Sequence, residues 1–313
     1  MKKKSFRIGT RESELAVWQA SLVKNQLEEK DIESELVFIK SEGDKDTITP
    51  LYEIGVQGIF TKALDAALLN DKIDFAVHSM KDVPTQLAAG IRQAAVLKRA
   101  SYKDILVFKG NKKEITDRLN KLQPSTFTIA TSSIRRKAQW LHRYPNHQIE
   151  NLRGNVNTRL RKIEENDWNG AIFAAAGLER IHLRPENSID LDWMLPAPAQ
   201  GAITISCREN DDISLSAAAL LNDEATQICT TIERDFLRTL LGGCSTPISG
   251  LAVFENDKIV FKGSVCSVNG KEKFDVKKEA DAENYNDLGV NAAEELLQNE
   301  EAKKIIYGIR NAK

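Results

Sequence analysis

Short β-rich runs alternate with helical patterns through the first two thirds of the chain. Phe6 to Thr10, Glu35 to Lys40, Phe75 to His78, Thr126 to Thr131, Gln148 to Leu152 and Ala171 to Ala175 read as strands. Between them, Ser13 to Glu29, Ile59 to Asn70, Ser133 to His142 and Val156 to Glu165 read as helices. This alternation predicts α/β architecture with mainly parallel sheets, because a parallel strand pair needs a crossover and a helix supplies it. Pro196-Ala197-Pro198-Ala199 marks a break where the chain leaves one lobe for another. A further helix is predicted from Glu224 to Leu240. From about Ser249 the rhythm changes: Gly250 to Glu255, Lys258 to Cys266 and Lys271 to Lys278 read as three strands joined by tight turns, with a helix from about Asn284 to Asn299 behind them. That part predicts a separate small α+β domain.

Composition narrows the picture only slightly. With 313 residues, 42% hydrophobic and 28% charged, the chain is long enough for two or three domains with a sizeable core. The start, Met1-Lys2-Lys3-Lys4-Ser5-Phe6, has no apolar signal region, and no apolar run reaches membrane-spanning length, so a cytoplasmic location away from membranes is expected. Four cysteines without a CxxC pair predict neither a disulfide framework nor a zinc site, and the scattered His78, His142, His147 and His182 suggest no metal.

A net charge of −1 argues against a general nucleic-acid binder. The distribution says more: Thr131 to Lys162 carries eight basic residues against the single acid Glu150. A chain neutral overall but basic in one stretch favours an anionic ligand. Three predicted strand-to-helix junctions carry arginine: Gly9-Thr10-Arg11-Glu12-Ser13, with Ser13 as a candidate N-cap; Thr131-Ser132-Ser133-Ile134-Arg135-Arg136; and Leu152-Arg153-Gly154-Asn155 running on to Arg159. Free N–H groups and the helix dipole meet at such junctions, and guanidinium forks grip carboxylates two-pronged. One arginine alone is better read as a solvated face; three junctions suggest a ligand bearing several carboxylates.

Two further positions carry candidate chemistry. Asp82 follows the hydrophobic run Phe75-Ala76-Val77-His78-Ser79, at the carboxyl end of a predicted strand, where open α/β sheets place their ligands. A carboxylate there can stabilise a developing cation or exchange protons with a leaving amine; it is equally a turn-forming aspartate paired with Lys81. Cys244 sits in Gly242-Gly243-Cys244-Ser245-Thr246-Pro247, a turned loop that exposes its thiol to covalent chemistry, whereas Cys207, Cys229 and Cys266 read as small buried hydrophobes.

These motifs, together with Thr10 to Ala16, Val77 to Pro84 and Pro196 to Gly201, occur in the order and spacing of the porphobilinogen deaminase (hydroxymethylbilane synthase) family, which the chain resembles over nearly its whole length. The resemblance implies two α/β lobes like those of periplasmic binding proteins plus a small α+β C-terminal domain with a three-stranded antiparallel sheet. The implied boundaries are 1–101 with 201–221, 102–200, and 222–313. It implies a transferase that deaminates porphobilinogen and joins four units head to tail onto a dipyrromethane cofactor, then releases hydroxymethylbilane by hydrolysis. Cys244 would carry the cofactor through a thioether, and Asp82 would be the catalytic carboxylate. Ser79, Lys81, Thr131, Ser132, Ser133, Arg135, Arg136 and Arg153 would hold the cofactor. Arg11, Ser13, Gln19, Arg159 and Arg180, with Arg153 again, would hold the substrate. The partners implied are porphobilinogen, the growing polypyrrole and, as a candidate, the next enzyme, uroporphyrinogen III synthase. The resemblance also implies a monomer, and no metal.

One stretch departs from the family pattern: Gln57 and Glu53 stand where lysines are usual, and Ala63 replaces a common glutamate. In the family this segment covers the cleft, so a change in substrate affinity or loop closure is expected there. The main rival is a two-lobed carboxylate-binding or sensing protein without catalysis, which leaves the Gly-Gly-Cys loop and the third domain unexplained. A nucleic-acid binder is third, since aromatics form only 6% of the chain and do not interleave with the basic stretch.

Overall fold

The computed structural model describes residues 5–40, 61–120, 126–240 and 246–311. Cys244, Gln57 and Glu53 lie outside them. The first lobe opens with β1 (Phe6–Thr10), α1 (Glu14–Glu28), β2 (Ser34–Phe38), α2 (Lys62–Leu69), β3 (Phe75–Ser79) and β4 (Ile91–Val96). The second contains β5 (Asp104–Phe108), α3 (Lys112–Asn120), β6 (Thr128–Ala130), α4 (Ile134–Arg143), β7 (Gln148–Glu150), α5 (Val156–Glu165), β8 (Gly170–Ala174), α6 (Ala175–Glu179) and β9 (Ser188–Asp190). The chain then returns to the first sheet with β10 (Ile203–Arg208), followed by α7 (Asp212–Ala219). The third unit comprises α8 (Glu224–Thr239), β11 (Ile248–Glu255), β12 (Lys258–Cys266), β13 (Lys273–Asp281), α9 (Leu288–Gln298) and α10 (Glu300–Asn311).

Each lobe is built on a five-stranded sheet, in the orders β2-β1-β3-β10-β4 and β7-β6-β8-β5-β9. The expectation of mainly parallel sheets needs correction, because both are mixed. β10 runs antiparallel to β3 and β4, and β5 runs antiparallel to β8 and β9. These reversed strands are where the chain crosses between lobes, so each sheet receives one strand from the connection rather than from a βαβ crossover. β3 and β5 are covered on both faces, which is why their sequences, FAVHS and DILVF, are nearly continuous apolar runs.

The third unit is the three-stranded antiparallel sheet β11-β12-β13 packed on α8 and α9. Phe236 and Phe261 meet at its centre, 4.9 Å between ring centroids, and both are fully buried. Truncating Phe236 to alanine there costs about 3–5 kcal/mol. The helix expected over Asn284 to Asn299 is α9, which ends at Asn299; α10 follows as a further helix that the pattern did not predict, and the Asn299 side chain starts it by accepting from the Glu301 and Ala302 amides.

Two connections join the lobes side by side: the Ala100 N–H donates to the Gly201 carbonyl (3.1 Å) and Arg99 Nε to the Gln200 carbonyl (2.8 Å). Gly201 has φ +87°, and a β-carbon on it would sit 2.6 Å from the Ser101 carbonyl oxygen, so only glycine fits that crossing.

Candidate active site

A cleft of about 700 Å3 lies between the two five-stranded sheets, bordered by the third unit. Its walls are the carboxyl ends of strands, where loops leave for the following helix. At the end of β1, Arg11 and Ser13 face this space. Ser13 occupies the N-cap position of α1, as expected, but its hydroxyl makes no capping hydrogen bond. β3 ends at Ser79 and runs into a 3-10 turn, Met80–Asp82, which sets both Lys81 and Asp82 on the cleft wall. Gln19 is not on that wall. It is buried on α1 and donates from Nε2 to Ser79 Oγ at 2.8 Å, so it acts on the cleft through Ser79.

The second lobe supplies three loops. After β6, Thr131, Ser132 and Ser133 line the cleft; Ser133 caps α4 by accepting the Arg136 amide, and the Ser132 hydroxyl donates to the Leu152 carbonyl. After β7, Arg153 is buried beside Gly154, whose φ of +112° turns the chain into α5, capped by Asn155. Arg159 returns from α5 and donates Nε to the Gly154 carbonyl at 2.7 Å. After α6, Arg180 donates to the Gly201 carbonyl at 2.6 Å. All the wall residues named from the motifs therefore converge, although they span 170 positions from Arg11 to Arg180 in a chain of 313.

Arg135 and Arg136 are almost fully buried, and their charges are met by a residue that the motifs left out. Asp104, the first residue of β5, accepts from Arg135 Nη1 at 2.7 Å and from Arg136 Nε and Nη2 at 2.9 and 2.7 Å. Burial alone would raise the Asp104 carboxyl; Arg135 and Arg136 outweigh it and hold the group well below the usual carboxylate range. Its only sequence signal was an acid placed at the head of an apolar strand.

The cleft is strongly cationic. Burial, reinforced by Arg136 and Arg153 and opposed by Asp82, lowers the Arg159 guanidinium to about 10, and burial lowers Arg180 likewise to about 10. Burial lowers the Lys81 ammonium to about 8; Arg136 and Arg135 push the same way, while Asp82 and Asp104 oppose them. Cations held this far out of water gain most from an anion that enters and pairs with them. A polymer of pyrroles bearing acetate and propionate groups is such an anion, so the donor set fits a carboxylate-rich cofactor. Lys81, Arg135, Arg136 and Arg153 are among the cations that line the cleft.

The third unit reaches the cleft through Leu237 on α8 and Thr246 and Ile248 before and in β11, on both sides of residues 241–245. The other thiols are buried. Burial pushes Cys229 up to about 12 and Cys266 up to about 11, and raises Cys207, which keeps all three protonated and unreactive.

The family model described as "Porphobilinogen deaminase, dipyromethane cofactor binding domain" matches residues 6–216, and "Porphobilinogen deaminase, C-terminal domain" matches residues 227–298. A porphobilinogen deaminase of Syntrophotalea carbinolica is 40% identical over 301 residues, 95% of this chain and 94% of that one. The chloroplastic porphobilinogen deaminase of Pisum sativum is 41% identical over 305 residues, 93% of this chain and 81% of that one. Among solved structures, an ancestral cationic amino acid solute-binding protein covers 70% of this chain and 89% of its own at 14% identity, with a TM-score of 0.45, too slight a likeness to carry an argument. Two family models in succession and relatives near 40% identity along almost the full length place the chain in the porphobilinogen deaminase family.

Proposed function

We propose that the protein is a hydroxymethylbilane synthase, a transferase of tetrapyrrole biosynthesis that joins four porphobilinogen molecules head to tail with loss of ammonia. The observation that carries this is the convergence of Asp82 and cations from both lobes on one cleft, bordered by the residues flanking Cys244. The dipyrromethane cofactor, bound through Cys244, supplies a tethered primer, so that the growing chain does not diffuse away between additions.

The chain's own residues then divide the work. Arg11, Ser13, Arg153, Arg159 and Arg180 bind the acetate and propionate groups of incoming porphobilinogen, with Gln19 fixing Ser79. Asp82 stands among Lys81, Arg136 and Arg159, close enough to oppose the loss of their protons. Its carboxylate stabilises the positive charge that spreads over the pyrrole as the amine departs, and assists the proton transfer that lets ammonia leave. We read the units as 1–101 with 201–221, 102–200, and 222–313. Among the described residues no helix is long and apolar enough to cross a membrane. The expected setting is a cytoplasmic monomer that uses neither metal nor nucleic acid and hands its product to uroporphyrinogen III synthase.

Binding without chemistry, the alternative, leaves Asp82 and the cysteine loop without a task. Intact mass separates the two. The purified protein is expected to carry one dipyrromethane, to gain single pyrrole units on incubation with porphobilinogen, and to lose both the adduct and turnover on Cys244→Ser. A bare mass that does not grow with substrate, or an adduct that survives Cys244→Ser, defeats the assignment.

A further inference from the structure

We infer that Asp104 is the positioning residue of the cleft, a buried counter-ion that fixes Arg135 and Arg136 of the second lobe and, through Gln200, Lys81 of the first lobe in one geometry. The inference rests on the proposed function for its purpose, but its geometry stands independently. Gln200, fully buried in the returning connection, donates Nε2 to Asp104 Oδ1 at 3.0 Å and to the Tyr102 carbonyl at 2.8 Å, and its Oε1 accepts from Lys81 Nζ at 3.2 Å. Asp104 opens β5 just after the first connection and Gln200 lies in the second, so the relay sits where the chain crosses between the lobes.

Adjacent guanidiniums repel one another, and two of them buried side by side need an anion before any ligand arrives. Asp104 meets that need from beneath. Backbone acceptors complete the clamp: Arg135 Nη1 also donates to the Leu195 carbonyl at 2.8 Å and Arg136 Nη1 to the Ile172 carbonyl at 3.0 Å. With these donors fixed, both guanidiniums still border the cleft. Among the groups that act on Lys81, Asp82 and Asp104 are negative and Arg135 and Arg136 positive, so loss of Asp104 shifts the balance towards the cations.

The test uses the full-length protein, apo and cofactor-loaded, as native, Asp104→Asn and Gln200→Met forms. Competitive acetylation with acetic anhydride, mapped by peptide mass, reads the protonation midpoint of Lys81 without turnover; KM for porphobilinogen is measured alongside. Asp104→Asn is expected to move the Lys81 midpoint to lower pH and to raise KM about tenfold, equal to about 1.4 kcal/mol. Gln200→Met, which keeps the arginine pairs, is expected to move the midpoint the same way, and it serves if Asp104→Asn does not fold. An Asp104→Asn protein of lowered melting temperature but unchanged midpoint and KM shows a purely structural ion pair and overturns the inference, as does an unmoved midpoint in Gln200→Met. Native protein without a pyrrole adduct overturns the proposed function instead, while the Lys81 midpoint still decides this inference.

Discussion

The Arg99 guanidinium closes on the Glu233 carboxylate at 2.6 and 3.1 Å, joining the strand that leaves the first lobe to α8, the helix that leads towards Cys244. Glu233 is fully buried, and its oxygens also accept the Ala199 N–H at 2.6 Å and the Ala252 N–H at 2.8 Å. One carboxylate therefore gathers both interlobe connections and the third unit. The next residue, Arg234, donates to the Val83 carbonyl at 3.0 Å and the Pro84 carbonyl at 2.5 Å, so α8 also steadies the turn that carries Asp82.

Removing one member of the Arg99–Glu233 pair leaves a buried charge without its opposite charge. Glu233→Gln and Arg99→Ala are each expected to cost about 3–5 kcal/mol, read as a lower urea midpoint. A loss under about 1 kcal/mol in both would show that the pair contributes no more than a surface bridge.

Asp82→Asn keeps the size of the side chain and removes its charge. The expected result is a kcat lower by about 10²–10⁴ with cofactor loading intact by mass, the range that a positioned acid–base group contributes. Loss of loading with unchanged kcat in the loaded fraction would make Asp82 a cofactor ligand instead.

His78 sets an acid limit on stability. Burial, helped by the positive charge of Arg11, lowers its imidazole from 6.5 to about 3. The unfolded chain therefore takes up this proton first, and His78 removes stability as pH falls from about 6.5 through about 3, by at most about 1.4 kcal/mol per pH unit. His78→Gln should flatten the dependence of the urea midpoint on pH in that window; an unchanged slope would mean that the imidazole ionises freely in the fold.

Iodoacetamide at pH 8 should leave Cys207, Cys229 and Cys266 unmodified in the native protein and label them once urea unfolds it. Rapid native labelling of Cys229 by peptide mapping would contradict the burial that keeps its thiol protonated.

Gln57→Lys restores a cation to the segment that departs from the family pattern, and the apparent KM for porphobilinogen should fall. An unchanged or raised KM would mean that the departure does not weaken substrate binding.

The sequence by itself determined the strand-to-helix junctions, because apolar runs end abruptly in Thr-Arg, Ser-Met-Lys-Asp, Thr-Ser-Ser and Arg-Gly-Asn, and these are local signals of strand end and helix start. It also determined which thiols are buried, since Cys207, Cys229 and Cys266 lie among apolar neighbours. Only the tertiary structure decided the direction of β10 and β5, because antiparallel pairing depends on where the chain re-enters a sheet and leaves no periodic trace. It likewise decided that Gln19 stands behind Ser79, and that Asp104 and Gln200 underlie the cationic wall. Asp104 and Arg135 are 31 positions apart, and Gln200 and Lys81 are 119 apart. No local pattern can announce such partners, since a pair this far apart along the chain is fixed only when the elements that carry its members pack together.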